Sequence, residues 1–167
     1  MFTKIIACIL SFLLWVFPWL QTTQSLSAGT VANNLMRAIE TRDVDLFEEQ
    51  LCLNLKVNLL KEGTEDLSDK IAELFGAIDG ELAGFTWETM GGHHSSDGRG
   101  KTVRQQILYI DFSTDTGDYR LAGNFEYYNN FNPKEMGMRS ILLFSPPTSA
   151  TPIAEIRATH GENGMHD

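Results

Sequence analysis

The sequence predicts an α+β domain in which N-terminal helices pack on one face of a curved antiparallel sheet of about four strands. Three observations carry this. Apolar residues recur at helical spacing as far as Ile78. The period then changes to two after Gly80. The two kinds of element are also segregated along the chain, which favours α+β over an alternating parallel architecture.

The elements follow in order. Thr30 is placed to cap a helix carrying Val31, Leu35, Ala38 and Ile39 on one face. Thr41-Arg42-Asp43 interrupts it, and Asp43 caps a second helix through Val44, Phe47, Leu51 and Leu55. So short a break predicts an angled pair. Gly63-Thr64 reads as a turn, with Glu65 and Asp66 at the positive end of a third helix. There Leu67, Ile71, Leu74, Phe75 and Ile78 form the cleanest amphipathic stripe in the chain, ended by Gly80.

Strands are expected at Leu82 to Met90, Thr102 to Ser113, Tyr119 to Asn129 and Met138 to Phe144. In the second, Leu108, Ile110 and Phe112 lie opposite Ile107 and Tyr109; in the third, Tyr119, Leu121, Phe125 and Tyr127 share a face. Gly91 to Lys101 reads as a loop, 114–118 as a turn, and Asn129 to Gly137 as a polar connection. Pro146-Pro147 breaks the last strand. The tail beyond is polar, with a short apolar patch at Ile153 to Ile156, and 159–167 is expected to be disordered.

Residues 1–28 are expected to form a signal peptide. Lys4 precedes an apolar run from Ile5 to Leu20, closed by Pro18-Trp19 and followed by polar residues and the small-residue stretch Ser25-Leu26-Ser27-Ala28. That run of 16 residues is shorter than the roughly 20 a membrane-spanning helix needs. Cleavage after Ala28 leaves a single domain over 29–158 and an extracytoplasmic protein. An uncleaved segment would be its one membrane contact. Cys8 precedes most of the apolar run, too early for a lipid-attachment cysteine.

The chain has 13 basic and 22 acidic residues, a formal charge of −9, and Lys4 is the one charge within 1–28. The remainder therefore stands at −10. Such a balance argues against nucleic acid and anionic lipid as partners and suits a protein partner, a basic one above all. Cys52 is the other cysteine of the chain, and between Leu51 and Leu53 it reads as a buried thiol.

Candidate chemistry is sparse. His93-His94 lack a third ligand nearby, and zinc needs three or four. The Gly-rich 91–100 stretch has no Gly-Lys-Ser/Thr ending and no strand-to-helix setting for phosphate. Glu88, Asp111 and Glu126 lie on strands, where a general base would need burial and a hydrogen-bonding partner. Trp87, Tyr109, Tyr127, Tyr128 and Phe131 make the second half rich in aromatics, suited to packing or to anchoring a ligand. No nucleophile elbow, Cys–His pair or metalloprotease motif is present. No catalytic, metal-binding or cofactor-binding residue is assigned, and no cofactor is expected.

The segments "IAELFGAIDG", "GGHHSSDGRGK", "YIDFSTDTGDYRLAGNFEYYN" and "NPKEMGMRSILLF" resemble the bacterial domain-of-unknown-function family 5104, found among small exported lipoproteins. The resemblance covers most of the chain after residue 28. It implies a cystatin-like or nuclear-transport-factor-2-like cone, with three helices packed into a bent sheet that often leaves a pocket. It implies no activity, so no residue role is carried over. The lipid-anchored cysteine of the family is missing here. The expectation is a non-enzymatic exported binding protein acting through its sheet face, of the immunity type that neutralises a secreted toxin. The alternative is a small-molecule-binding or isomerase/dehydratase-like cone protein with Asp111 or Glu126 in a pocket.

Overall fold

A computed structural model describes residues 25–62 and 66–158. The expected signal peptide up to residue 24, the Gly63-Thr64 turn and the tail from 159 lie outside them. Within the described residues, four helices precede a six-stranded antiparallel sheet: α1 (Ala28–Thr41), α2 (Val44–Glu48), α3 (Leu53–Glu62), α4 (Leu67–Gly76), β1 (Leu82–Ser96), β2 (Thr102–Thr114), β3 (Asp118–Asn129), β4 (Gly137–Met138), β5 (Ile141–Phe144) and β6 (Ala154–Ile156). A 3₁₀ turn, Pro133–Glu135, separates β3 from β4. The sheet order is β1-β2-β3-β5-β6, with β4 also pairing β3.

The sheet has six strands where four are expected, and it departs from expectation at three places. β1 runs on through the Gly-rich segment to Ser96, because Gly91 at φ 66° absorbs a register shift between Met90 and His93. The turn shrinks to 97–101, where the Asp97 carboxylate accepts from the amides of Arg99 and Lys101 at 2.8 and 3.0 Å. The expected strand Met138 to Phe144 splits into β4 and β5, and the Arg139 amide between them donates to the Asn124 carbonyl. The apolar patch after Pro147 becomes β6 by pairing Ile156 with Ile141.

The helices also differ from expectation. Ser27, not Thr30, caps α1, its hydroxyl accepting from the Thr30 amide. Arg42 ends α1 in the left-handed region, and Asp43 caps α2 as expected, accepting from the Leu46 amide at 3.0 Å. The Arg42 guanidinium donates to the carbonyls of Phe75 and Ile78 and so fastens the end of α1 to the end of α4. Helix α4 stops at Gly76, earlier than Gly80, and Asp66 caps its start.

The expected helix through Leu55 breaks into α2 and α3 because residues 50–52 give their backbone to β4. The Met138 amide donates to the Gln50 carbonyl at 2.8 Å, and the Cys52 amide donates to the Met138 carbonyl at 3.0 Å. Gly137, at φ 135°, makes this approach possible: a Cβ there would stand 2.8 Å from the Gln50 oxygen and 2.9 Å from the Cys52 nitrogen.

The core lies between the helices and one face of the sheet. Val31, Leu35 and Ile39 of α1, Phe47 of α2, and Ile71, Leu74 and Phe75 of α4 meet Leu108, Ile110, Leu121, Phe125, Ile141, Leu143 and Ile156 from the strands. Phe47 and Phe75 pack edge to face at 5.4 Å. Each fully buried large side chain stabilises by about 1.5–3 kcal/mol. The expected stripes of α4, β2 and β3 all point inward.

Replacing Gly137→Ala adds both a clash and a strained φ at the α2–α3–β4 junction. Urea unfolding is expected to show a loss of about 3 kcal/mol. A loss below about 0.5 kcal/mol would mean that the junction is not tightly packed.

Candidate functional site

Strand register decides which side chains leave the core. Across β1, β2, β3 and β5 the rows Glu88–Tyr109–Ala122–Leu142 and Thr86–Asp111–Arg120–Phe144 lie on the face opposite the core. Met90 and Ile107 extend this outer face and are 55% and 37% exposed. Ile107, Tyr109, Arg120, Leu142 and Phe144, with Pro147 from the loop after β5, line a shallow groove of about 340 Å³. Among the described residues, none from a helix lines it.

An ion pair stands at the edge of the groove, Arg120 lining it and Asp111 lying just outside. Arg120 donates to both Asp111 oxygens, at 2.6 and 2.7 Å, and its guanidinium lies 5.2 Å from the centre of the Tyr109 ring. The hydrogen bonds that Arg120 donates to Asp111 raise its pKa above the ordinary value, against the opposing effect of desolvation. The pair is half-exposed and fixes the guanidinium plane against Tyr109. Asp111 is thereby committed to a permanently charged partner. Glu88 stands exposed opposite Tyr109.

Glu126 has the contrary environment. It projects from the same outer face of β3 but is completely buried, at the corner where β4 and the 3₁₀ turn close over the sheet. Its carboxylate accepts from Gln105 Nε2 at 2.9 Å, Asn129 Nδ2 at 2.7 Å and Arg139 Nη1 at 2.7 Å. Asn129 Oδ1 accepts from the amides of Phe131 and Asn132, Asn132 Nδ2 donates to Glu135, and Glu135 accepts from the Asn54 amide at the start of α3. All buried polar side-chain atoms among the described residues are satisfied. A polar cavity of about 560 Å³ opens beside this corner, with Cys52, Asn54, Asn58, Arg139 and Arg157 in its walls. Cys52 is buried, and that burial raises its thiol pKa from the ordinary value. Glu126 itself does not line the cavity.

The remaining candidates separate. His93 and His94 sit exposed on β1, opposite Gln105 and Arg104. Among the described residues no three His, Cys, Asp or Glu side chains gather as a metal site. Tyr127 packs against the core, and Tyr128 lies under the Arg104 guanidinium at 5.4 Å. Phe131 is exposed and carries Lys101 over its ring at 3.8 Å. Trp87 lies on the helix side of β1, against Gly29 of α1. Sequence reasoning missed Arg120, Leu142, Phe144 and Arg139. A signal was present for two of them: Ile141-Leu142-Leu143-Phe144 does not alternate, so a strand with one face in the core must turn apolar side chains outward.

Residues 34–146 match a family model described as a domain of unknown function (DUF5104). No curated protein matches the chain.

The two carboxylates are expected to respond differently to truncation. Glu126→Ala strands Arg139, Gln105 and Asn129 at a buried corner and is expected to lower unfolding free energy by about 3 kcal/mol. Asp111→Ala breaks a half-exposed pair and is expected to cost less than about 1 kcal/mol. Equal losses in parallel urea titrations would contradict this placement. Iodoacetamide should alkylate Cys52 slowly in the folded chain at pH 8 and rapidly in urea, because burial keeps the proton on the thiol. The folded pKa being raised, this contribution to stability is complete below the ordinary thiol pKa and is lost as pH rises above it.

Proposed function

We propose that this chain, which belongs to the DUF5104 family, is a non-catalytic binding protein that docks a protein partner on the outer face of its sheet. One observation carries the reading. An apolar groove of Ile107, Tyr109, Leu142 and Phe144 remains on the sheet face that the helices leave uncovered, with Met90 beside it. Half-buried aromatic and aliphatic side chains, with exposed Ile107 and Met90 beside them and fixed charges at the edge, are the composition of a docking surface. Tyr109 under the Arg120 guanidinium is the natural anchor, since Tyr and Arg dominate interface hot spots.

The excess of acidic residues supports a basic partner surface. The N-terminal apolar run and small-residue stretch support an extracytoplasmic setting. In its narrower form the reading is an immunity-type protein that holds a secreted toxin inactive. A cystatin-like or nuclear-transport-factor-2-like cone is the finer fold the reading adopts, supported by two bulges in β1 and one in β3, of the kind that bends a strand.

The small-molecule alternative draws support from the corner cavity beside Arg139. Its expected bases fit it poorly, because Asp111 and Glu126 are both bound to guanidinium groups.

Affinity capture from the host's extracytoplasmic fraction tests the docking reading. A partner retained by the natural chain and by Leu60→Asp, on exposed α3 surface, should be lost with Ile107→Asp or Tyr109→Ser. Retention by the two groove variants would overturn it. So would a partner lost equally with all three.

A further inference from the structure

The sheet has two very unequal edges. One is β6, three residues long, with its central Glu155 paired to Arg157 just beyond the strand. The other is β1, fifteen residues long, with Glu88 as its one acid, no Lys, no Arg and no Pro. Thirteen of its fifteen residues are exposed. β2 pairs its inner side, and no described strand pairs its outer side. Alternate backbone N–H and C=O groups along an edge point outward, ready for another strand. Natural sheets shorten, charge or interrupt such an edge with Lys and Pro. This one is interrupted by two bulges, at Leu82–Gly84 and Met90–His93, which leave a regular stretch between them from Gly84 to Met90.

We propose that β1 is the seam of a homodimer, two copies pairing antiparallel along Gly84–Met90 with Trp87 on the two-fold axis. The occupant follows from the sequence of the stretch. Centred on Trp87, the register sets Trp87 against Trp87 of the second copy, Phe85 against Thr89, Thr86 against Glu88 and Gly84 against Met90. No pair brings two charges of the same sign together. Moving the centre one residue to Glu88 places two carboxylates face to face, which is destabilising. The Trp87 centre instead joins two large apolar side chains, each 45% exposed in the single chain. Because paired residues share a face, the second copy continues the sheet with its helices on the same side. The outer grooves then lie on one surface, and they stay open. The interface uses seven residues from each copy, so the dimer is weak, with a micromolar dissociation constant.

Sedimentation velocity on the purified full chain, over a micromolar concentration series, should show a reversible monomer–dimer equilibrium. Trp87→Lys, which sets two ammonium groups together at the axis, should weaken it at least tenfold. Ile107→Asp in the groove should leave it unchanged. A covalent test fixes the register and does not depend on the lysine variant folding. In a Cys8→Ser background, Trp87→Cys should form a disulfide-linked dimer with oxidised glutathione. Thr89→Cys should not, because its two copies stand about 13 Å apart along the strand, beyond the ~7 Å that a disulfide spans. A monomer at every concentration overturns the proposal, including one whose β1 edge takes up an extended segment of another protein. A dimer insensitive to Trp87→Lys, a dimer lost with Ile107→Asp, or equal cross-linking at 87 and 89 also overturns it.

Discussion

The Glu126 carboxylate organises the corner on which the rest of the molecule closes. It is fully buried on the outer face of β3, where an unpartnered charge would cost several kcal/mol. Three donors from β2, β3 and the residue after β4 converge on it. Through Asn129 and Glu135 the same network reaches the first turn of α3. A charge in such a place tolerates few rearrangements, because any shift of one strand leaves a polar atom dry. The network therefore holds β2, β3, β4 and α3 in one register, and the neighbouring contact of Gly137 with residues 50–52 fixes how close they come.

That closure makes the two sheet faces unequal. On the inner face, α1, α2 and α4 cover Leu108, Ile110, Phe125 and Leu143. On the outer face, the closed corner hides Glu126 but stops short of Ile107, Tyr109, Leu142 and Phe144. The Asp111–Arg120 pair lies in this open region. It stiffens the groove wall beside Tyr109 without sealing it. The surface left for binding is thus a residue of the packing: it is the part of the sheet that neither the helices nor the β4 corner reaches.

The inner stripe was legible in the sequence wherever one periodicity dominated. Leu67 to Ile78 at helical spacing and Leu108-Ile110-Phe112 at spacing two are buried as their patterns require. Legibility failed where backbone pairing with a distant segment overrode local preference. Leu51 and Cys52 continue a helical pattern, yet their backbone pairs with Met138 and the helix breaks. Gly91 and Gly92 look like a loop, yet they form a bulge across which β1 stays paired with β2 on both sides. Glu126 and Asp111 look alike as acids among apolar neighbours, but one is buried and the other half-exposed. The difference comes from β4 and the 3₁₀ turn, which cover only the first.

The sequence by itself determined the segregation of helices before strands, the acidic charge, the buried stripes of α4, β2 and β3, and the family to which the chain belongs. These rest on local periodicity and composition, which act over a few residues. Only the tertiary structure decided that the sheet has six strands, that Glu126 is a buried anchor, and that among the described residues an apolar groove and a long edge stay uncovered. The reason is physical: burial and pairing belong to residues brought together from far apart, and nothing in a residue's own neighbourhood records which distant backbone will cover it.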